Sequence, residues 1–299
     1  VITEYAELGD WLPLLRGAGA RLFRKSGAGP IALQAEAGFA TGLWSRLPEV
    51  TRQHTVQDNR IAVRWPDQPI WSELRETGIP LVSTPIPGGL SAAEAAQLLG
   101  AQAAAIVDAG PASFAAAPTV VRATGRRCLV QQAGAVSAEQ IEELAQCRIL
   151  FICTGNTCRS PMAQVLCAKL LADALGCLPG DLKQRGFCVQ SAGLAAMMGA
   201  HASPDAVTVV AQMGAQLTEH ASRMVTRELL QWADFLFGMT AGHCWTLESI
   251  PVPMPVPRML AVDGTDIADP IGGAFVDYKT CAHQILESLQ QHLPELLEA

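Results

Sequence analysis

The chain has 299 residues, 49% hydrophobic and 16% charged, which fits two folded domains and excludes a disordered chain. Its net charge is −7, with 12 basic and 14 acidic residues in 1–147 and 9 and 14 in 148–299, so a nucleic-acid role has no electrostatic support in either half. Proline, glycine or charge interrupts every apolar run before it reaches the length of a membrane span.

In the first half, Gly17-Ala18-Gly19 lacks the third glycine of a dinucleotide fingerprint. Residues 61–65, 81–83, 105–107 and 118–122 read as strands, and 91–99 as a helix carrying Glu94. This pattern predicts an α/β domain. Ser137 and Gln140 form a capping box at the start of a helix over 141–146. A strand begins almost at once at Arg148, so the joint near Cys147 is short. It divides the chain into domains 1–146 and 147–299. Val1 in place of Met reads as a fragment or a processed product, and no signal-peptide pattern follows it.

The second half alternates strand and helix. Residues 148–152 read as a buried strand. Those at 161–175 read as a helix with Pro161 at its first position, where a missing N–H is harmless. A strand over 187–190 runs into Ser191-Ala192-Gly193. Ser203-Pro204-Asp205 opens a helix to Met213, which Gly214 stops. A short helix over 226–233, a strand over 234–239 and a helix from Thr240 follow. Residues 251–257 alternate proline with apolar residues and exclude a central strand. The last helix covers about 275–293, with Ala282, Ile285, Leu286 and Leu289 on its apolar face. The pattern predicts a three-layer α/β/α domain on a parallel, four-stranded sheet. Ligands of such a sheet bind at the carboxyl ends of its strands.

One segment lies at such an end: Cys153-Thr154-Gly155-Asn156-Thr157-Cys158-Arg159-Ser160. A strand precedes it, and Pro161 with a helix follows. Backbone N–H groups of this turn and the helix N-terminus favour an anion. Arg159 offers a planar fork for two phosphate oxygens. The same field suits Cys153 as a thiolate nucleophile attacking phosphorus. The leaving group then needs a proton donor. Asp269, held by Pro270 and followed by Ile271-Gly272-Gly273, is the leading candidate, with Asp263 and Asp266 as local competitors.

The other chemistry-bearing residues read as structural. Nine cysteines, an odd number with no C-x-x-C pair, argue against a structural zinc site or a disulfide framework. They read as free thiols in a reducing cytoplasm, most of them core residues. His201, His220, His243 and His283 lack metal-ligand spacing and read as surface or cap residues. Met197-Met198 reads as packing. No G-x-x-x-x-G-K-[ST] loop is present, which excludes that form of ATP binding.

The Cys153–Met162 segment, Ser191-Ala192-Gly193 and Asp269-Pro270 together resemble the low-molecular-weight protein tyrosine phosphatase family, over about 148–299. The resemblance implies Cys153 as nucleophile, Arg159 as phosphate clamp and Asp269 as general acid. It implies Thr154, Gly155, Asn156, Thr157, Cys158 and Ser160 as the phosphate-binding loop, with Ser191 in support. Asn156 would hold the loop geometry and Ser160 would hydrogen-bond the thiolate. Cys158 matches a second loop cysteine that forms a reversible disulfide with the nucleophile. Neither metal nor cofactor is implied, and the partner is a phosphorylated protein. Tyrosine-specific members carry an aliphatic residue in place of Thr157 and aromatic residues after the Asp-Pro. The loop threonine and Asp-Pro-x-Gly-Gly are instead similar to bacterial protein-arginine phosphatases, although those carry an aromatic residue in place of Ile271. The Thr157 hydroxyl offers an acceptor for a guanidinium N–H, and its methyl narrows the space for a ring. Phosphoarginine is thus expected first and phosphotyrosine second.

Residues 60–146 resemble the YrdC-like threonylcarbamoyl-adenylate synthase family. The resemblance rests on residues 60–67, Gly78–Thr84, 106–110, 118–121 and 134–137. Ser83-Thr84-Pro85 replaces the family's Ser-Ala-Asn, Ala117-Pro118-Thr119 replaces Glu-Ser-Thr, and the N-terminal lysine–arginine segment has no counterpart. The domain is therefore expected to be incomplete and inactive. The alternative is a protein related to tRNA threonylcarbamoyladenosine, or a double-stranded-RNA or nucleotide binder, with a phosphatase attached. The −2 balance of the first half opposes strong RNA binding.

Overall fold

The computed structural model describes every residue except 40, 78–80, 84–90, 109, 111–113 and 115. The backbone divides into two compact units, Val1–Ala145 and Gln146–Ala299.

The first unit contains strands β1 (Ile31–Glu36), β2 (Val56–Gln57), β3 (Arg60–Arg64), β4 (Thr119–Thr124) and β5 (Arg127–Gln132). They form one sheet in the order β2-β3-β1-β4-β5, parallel between β1 and β4 and antiparallel elsewhere. Its helices are α1 (Glu7–Trp11), α2 (Gly17–Ser26), α3 (Glu49–Thr55), α4 (Ile70–Arg75), α5 (Ala92–Leu99) and α6 (Ala138–Ala145). Leu33, Ala35, Val63, Val121 and Ala123 alternate along the strands and pack on Leu22 and Phe23 of α2 and Ile141 of α6. Ser91 caps α5 through a capping box with Glu94. Ser137 and Gln140 exchange the same pair of bonds before α6. Two expected strands are absent. Residues 81–83 and 105–107 are irregular, with Val82 and Val107 exposed. Runs of three residues are too short to show a period. Residues 78–80, Thr84, Pro85 and 109 lie outside the described residues.

The second unit is built on β6 (Cys147–Cys153), β7 (Phe187–Gly193), β8 (Phe235–Gly238) and β9 (Arg258–Met259). All four are parallel, in the order β7-β6-β8-β9. The helices are α7 (Arg159–Leu175), α8 (Pro204–Gln212), α9 (Arg227–Trp232), α10 (Ala241–Glu248) and α11 (Phe275–Glu298). The central strand β6 serves both faces. Ile149 and Phe151 pack with Met162 and Leu166 of α7, Val210 of α8 and Ile285 and Leu289 of α11. Leu150 and Ile152 pack with Leu230 of α9 and Leu247 of α10. Burying both faces makes β6 a continuous apolar run.

Pro161 is the third residue of α7, not the first, because the helix already begins at Arg159. The first helical N–H groups lack intrahelical partners anyway, so the proline costs nothing there. The last helix runs to Glu298 and carries Pro294 inside it. Among the described residues, no single helix is long and apolar enough to cross a membrane.

Candidate active site

The site is the turn from β6 into α7. Cys153 ends the strand, and Arg159 opens the helix. Asn156, fully buried, takes a left-handed backbone with φ of 54°. Asparagine tolerates this region better than most residues. Its partners over-determine it. The Nδ2 group donates to Ser160 Oγ and Ser191 Oγ, each at 2.9 Å. Its Oδ1 accepts from the Arg223 N–H at 3.0 Å, and its carbonyl accepts from His220 Nε2 at 2.7 Å. Its own N–H donates to Cys153 Sγ at 3.2 Å. Ser160 Oγ lies 3.0 Å from the same sulfur. Hydroxyl and amide thus converge on Sγ, an arrangement suited to a thiolate.

The loop is seated on the end of β7. Leu194 and Ala195 donate their N–H groups to the carbonyls of Cys153 and Thr154, both at 2.9 Å. A Cβ on Gly193 would stand 2.5 Å from the Thr154 carbonyl oxygen, so only glycine allows this approach. Ser191 passes its own proton to Gln164 Oε1 at 2.6 Å.

Arg159 is buried, with 5% of its surface exposed. One guanidinium nitrogen donates to the Ile267 carbonyl at 3.3 Å, and the other pairs with Asp269 Oδ2. The competing carboxylates are engaged elsewhere. Asp266 accepts from the Ala241 N–H at 2.8 Å, while Asp263 accepts from Thr265 of its own turn. The structure therefore brings Asp269, and neither competitor, against Arg159. Cys281 is a buried residue of α11. Burial pushes its thiol up to about 12, with the charges of Arg159, Asp269, Cys158 and Cys153 all bearing on it.

Thr157 is half-buried, and its Oγ1 lies 3.7 Å from Cys158 Sγ. Its carbonyl accepts from the Ser203 N–H at 2.9 Å. Cys158 also meets Tyr278 OH at 3.7 Å, and Ser203 donates to that hydroxyl at 3.0 Å. Burial pushes the Cys158 thiol up, against hydrogen bonds from Thr157 and Tyr278. Ile271 is 66% exposed, with its N–H on Asp269 Oδ1 at 3.3 Å.

Three sequence expectations need correction. His243 is neither a surface nor a simple cap residue: it is 6% exposed and bonded to Thr154 and Thr240. His220 is half-buried on the Asn156 carbonyl. Met197 and Met198 do not pack, being 79% and 73% exposed. Gln164, Arg223 and Tyr278 also join the site, without a local signal that marked them. Their partners lie 27 to 120 positions away in the chain.

A cysteine at a strand end, ringed by hydrogen-bond donors and followed by a helix-opening arginine, defines a cysteine-dependent phosphatase site. Residues 148–299 match the family described as low molecular weight phosphotyrosine protein phosphatase, and the chain belongs to that family. Similar proteins include a protein-arginine-phosphatase of Geobacillus stearothermophilus, 40% identical over 50% of this chain and 96% of that protein. The protein-arginine-phosphatase of Bacillus subtilis is 32% identical over 50% of this chain and 95% of its own length. Among solved structures, a low molecular weight protein tyrosine phosphatase from T. tengcongensis is 28% identical, covering 50% of this chain and 99% of that one, with a TM-score of 0.45. Family and site together make this chain a cysteine-dependent phosphoprotein phosphatase.

Proposed function

We propose that residues 147–299 hydrolyse phosphoarginine in proteins, with phosphotyrosine as the second substrate, through a phosphocysteine intermediate. The observation that carries this reading is the contact of Asp269 with Arg159, on the same loop whose Asn156 and Ser160 hold Cys153 Sγ. The Cys153 thiolate attacks phosphorus, forming an S–P bond as the P–N or P–O bond breaks. Asp269 in its acid form gives its proton to the leaving nitrogen or oxygen. Water then attacks the phosphocysteine and returns a proton to Asp269, releasing phosphate and the thiolate. Arg159 spreads its fork over two phosphate oxygens and gives up Asp269 to do so. Asn156, Ser160 and Ser191 keep the loop in shape, while the backbone N–H groups of the loop other than that of Asn156, which is turned to the sulfur, bind the phosphate.

Thr157 supports the choice of phosphoarginine, as do relatives named for that activity. Its hydroxyl accepts from a guanidinium N–H where an aliphatic side chain would face a ring. Thr157→Ile is expected to shift the ratio of kcat/KM values toward phosphotyrosine by about tenfold. Steady-state rates on matched phosphoarginine and phosphotyrosine peptides measure it. An unchanged ratio would overturn the specificity argument.

Cys158 serves as a redox lock. Peroxide oxidises Cys153 to a sulfenic acid, and the Cys158 thiol displaces water to form a disulfide that a cellular dithiol reduces. Both are free thiols in the structure, and a reducing cytoplasm is the compartment proposed for the reversible lock.

The first domain, residues 1–146, reads as a YrdC-like scaffold without synthase activity. Its motif residues have diverged, and Thr119 is committed to structure. The Thr119 hydroxyl donates to the Val136 carbonyl at 2.8 Å and accepts from the Val136 N–H at 2.9 Å. Calorimetric titration of the full chain with ATP is expected to show no heat of binding. Micromolar affinity would instead favour the nucleotide- or RNA-binding reading.

A further inference from the structure

His243 is a buried imidazole that the reaction above does not use. It lies in the first turn of α10, and its ring joins two hydroxyls. Nδ1 is 2.8 Å from Thr240 Oγ1, and Nε2 is 3.0 Å from Thr154 Oγ1. Thr240 is the N-cap of α10 and accepts from the His243 N–H at 3.2 Å. With that lone pair occupied, the Thr240 proton goes to Nδ1. Nε2 then carries the ring proton and donates it to Thr154. The chain Thr240 to His243 to Thr154 thus ends on the residue next to the nucleophile. Thr154 is an exposed loop residue, and an exposed threonine has no packing to fix its rotamer.

The charges facing the ring are those of the site itself. Burial pushes the His243 pKa below its ordinary value, and the Arg159 guanidinium pushes in the same direction. Asp266 and Asp269 oppose both. The lowered pKa favours the neutral ring, which can accept from one hydroxyl and donate to the other.

We propose that His243 is a positioning residue of the phosphatase reaction, holding the first residues of the phosphate loop in binding geometry through Thr154. The inference rests on the phosphatase reading and adds to it a residue from α10, 90 positions beyond the nucleophile. Because the loop binds phosphate in substrate and product alike, its loss weakens both. His243→Asn keeps an amide near Nδ1 and loses the reach to Thr154. His243→Gln places a donor near Nε2. Thr154→Val removes the acceptor and keeps the shape.

The test is steady-state kinetics with inhibition by inorganic phosphate for these three variants and for the Thr154→Val/His243→Asn pair, with thermal melts alongside. His243→Asn and Thr154→Val are each expected to lower kcat/KM and raise the phosphate inhibition constant by about tenfold. The pair loses no more than either alone, and His243→Gln recovers to within about threefold of wild type. Multiplying losses, an unaffected Thr154→Val, or a glutamine no better than asparagine would overturn the proposal. Should His243→Asn fail to fold, Thr154→Val and His243→Gln decide the matter. A wild-type chain without Cys153-dependent turnover would sink the phosphatase reading and this inference with it. Additive losses in an active wild type would sink the inference alone.

Discussion

Cys153→Ser is expected to lower phosphatase turnover by roughly four orders of magnitude or more while leaving phosphate binding nearly intact. The two halves of this result have different causes. Serine fits the space, since the sulfur is held by small donors, the Asn156 N–H and the Ser160 hydroxyl. Its hydroxyl remains protonated where a thiol ionises, so the loop loses its nucleophile and keeps its cradle. Arg159 and the backbone donors of the turn are unchanged, and the inhibition constant for inorganic phosphate should stay within about twofold. Rates and phosphate inhibition measured on the same preparation separate nucleophile from cradle. A serine variant with wild-type rates would eliminate the mechanism.

Asp269→Asn is expected to cost about a hundred- to a thousandfold in kcat on phosphoarginine peptides. Asparagine cannot supply the proton that the leaving nitrogen needs. The cost should be smaller in the first step with p-nitrophenyl phosphate, whose phenolate leaves without a proton. In the second step the variant is slow on every substrate, because the water that attacks the phosphocysteine loses its base. Phosphocysteine should therefore accumulate with p-nitrophenyl phosphate, and a burst of p-nitrophenol should precede the slow steady state. Asp263→Asn and Asp266→Asn serve as controls. The first carboxylate is bound to its own turn and the second caps α10, so neither should show the leaving-group dependence. Equal losses on both substrates with no burst of p-nitrophenol would argue against Asp269 as the acid.

The Arg159–Asp269 pair also describes the free enzyme. In it the guanidinium holds the carboxylate proposed as general acid. A phosphate dianion competes for the same fork with two oxygens at fixed spacing. In the proposed mechanism, substrate binding frees Asp269 from the arginine and places it beside the leaving group. Phosphate binding and release of Asp269 would then be coupled through the Arg159 side chain.

The loop was legible because its residue types are confined to a contiguous run. Cys153, Asn156 and Arg159 each answer a local demand: a thiol at a strand end, a left-handed turn, a guanidinium at a helix start. The parallel sheet was legible for a similar reason, since β6 is apolar on both faces and helices alternate with strands around it. What surrounds the loop was not. His220, Arg223, His243 and Tyr278 reach it from other elements, and no spacing rule joins Asn156 to Arg223 or Thr154 to His243. In the first unit, residues 81–83 and 105–107 have strand composition but not strand length, and tertiary pairing passed them over. Asp269 fell between these cases. Its Pro-Ile-Gly-Gly setting marked a tight loop, yet only the fold brought it, and not Asp266, against Arg159.

The central claim is that phosphate passes through Cys153. Acid-quenched samples of wild type, Asp269→Asn and Cys153→Ser, each mixed with p-nitrophenyl phosphate and analysed by intact and peptide mass, test it most directly. A phosphoryl adduct is predicted on the peptide carrying Cys153, strongest in Asp269→Asn and absent from Cys153→Ser. An adduct on another residue, or full turnover with none in any variant, would contradict the account.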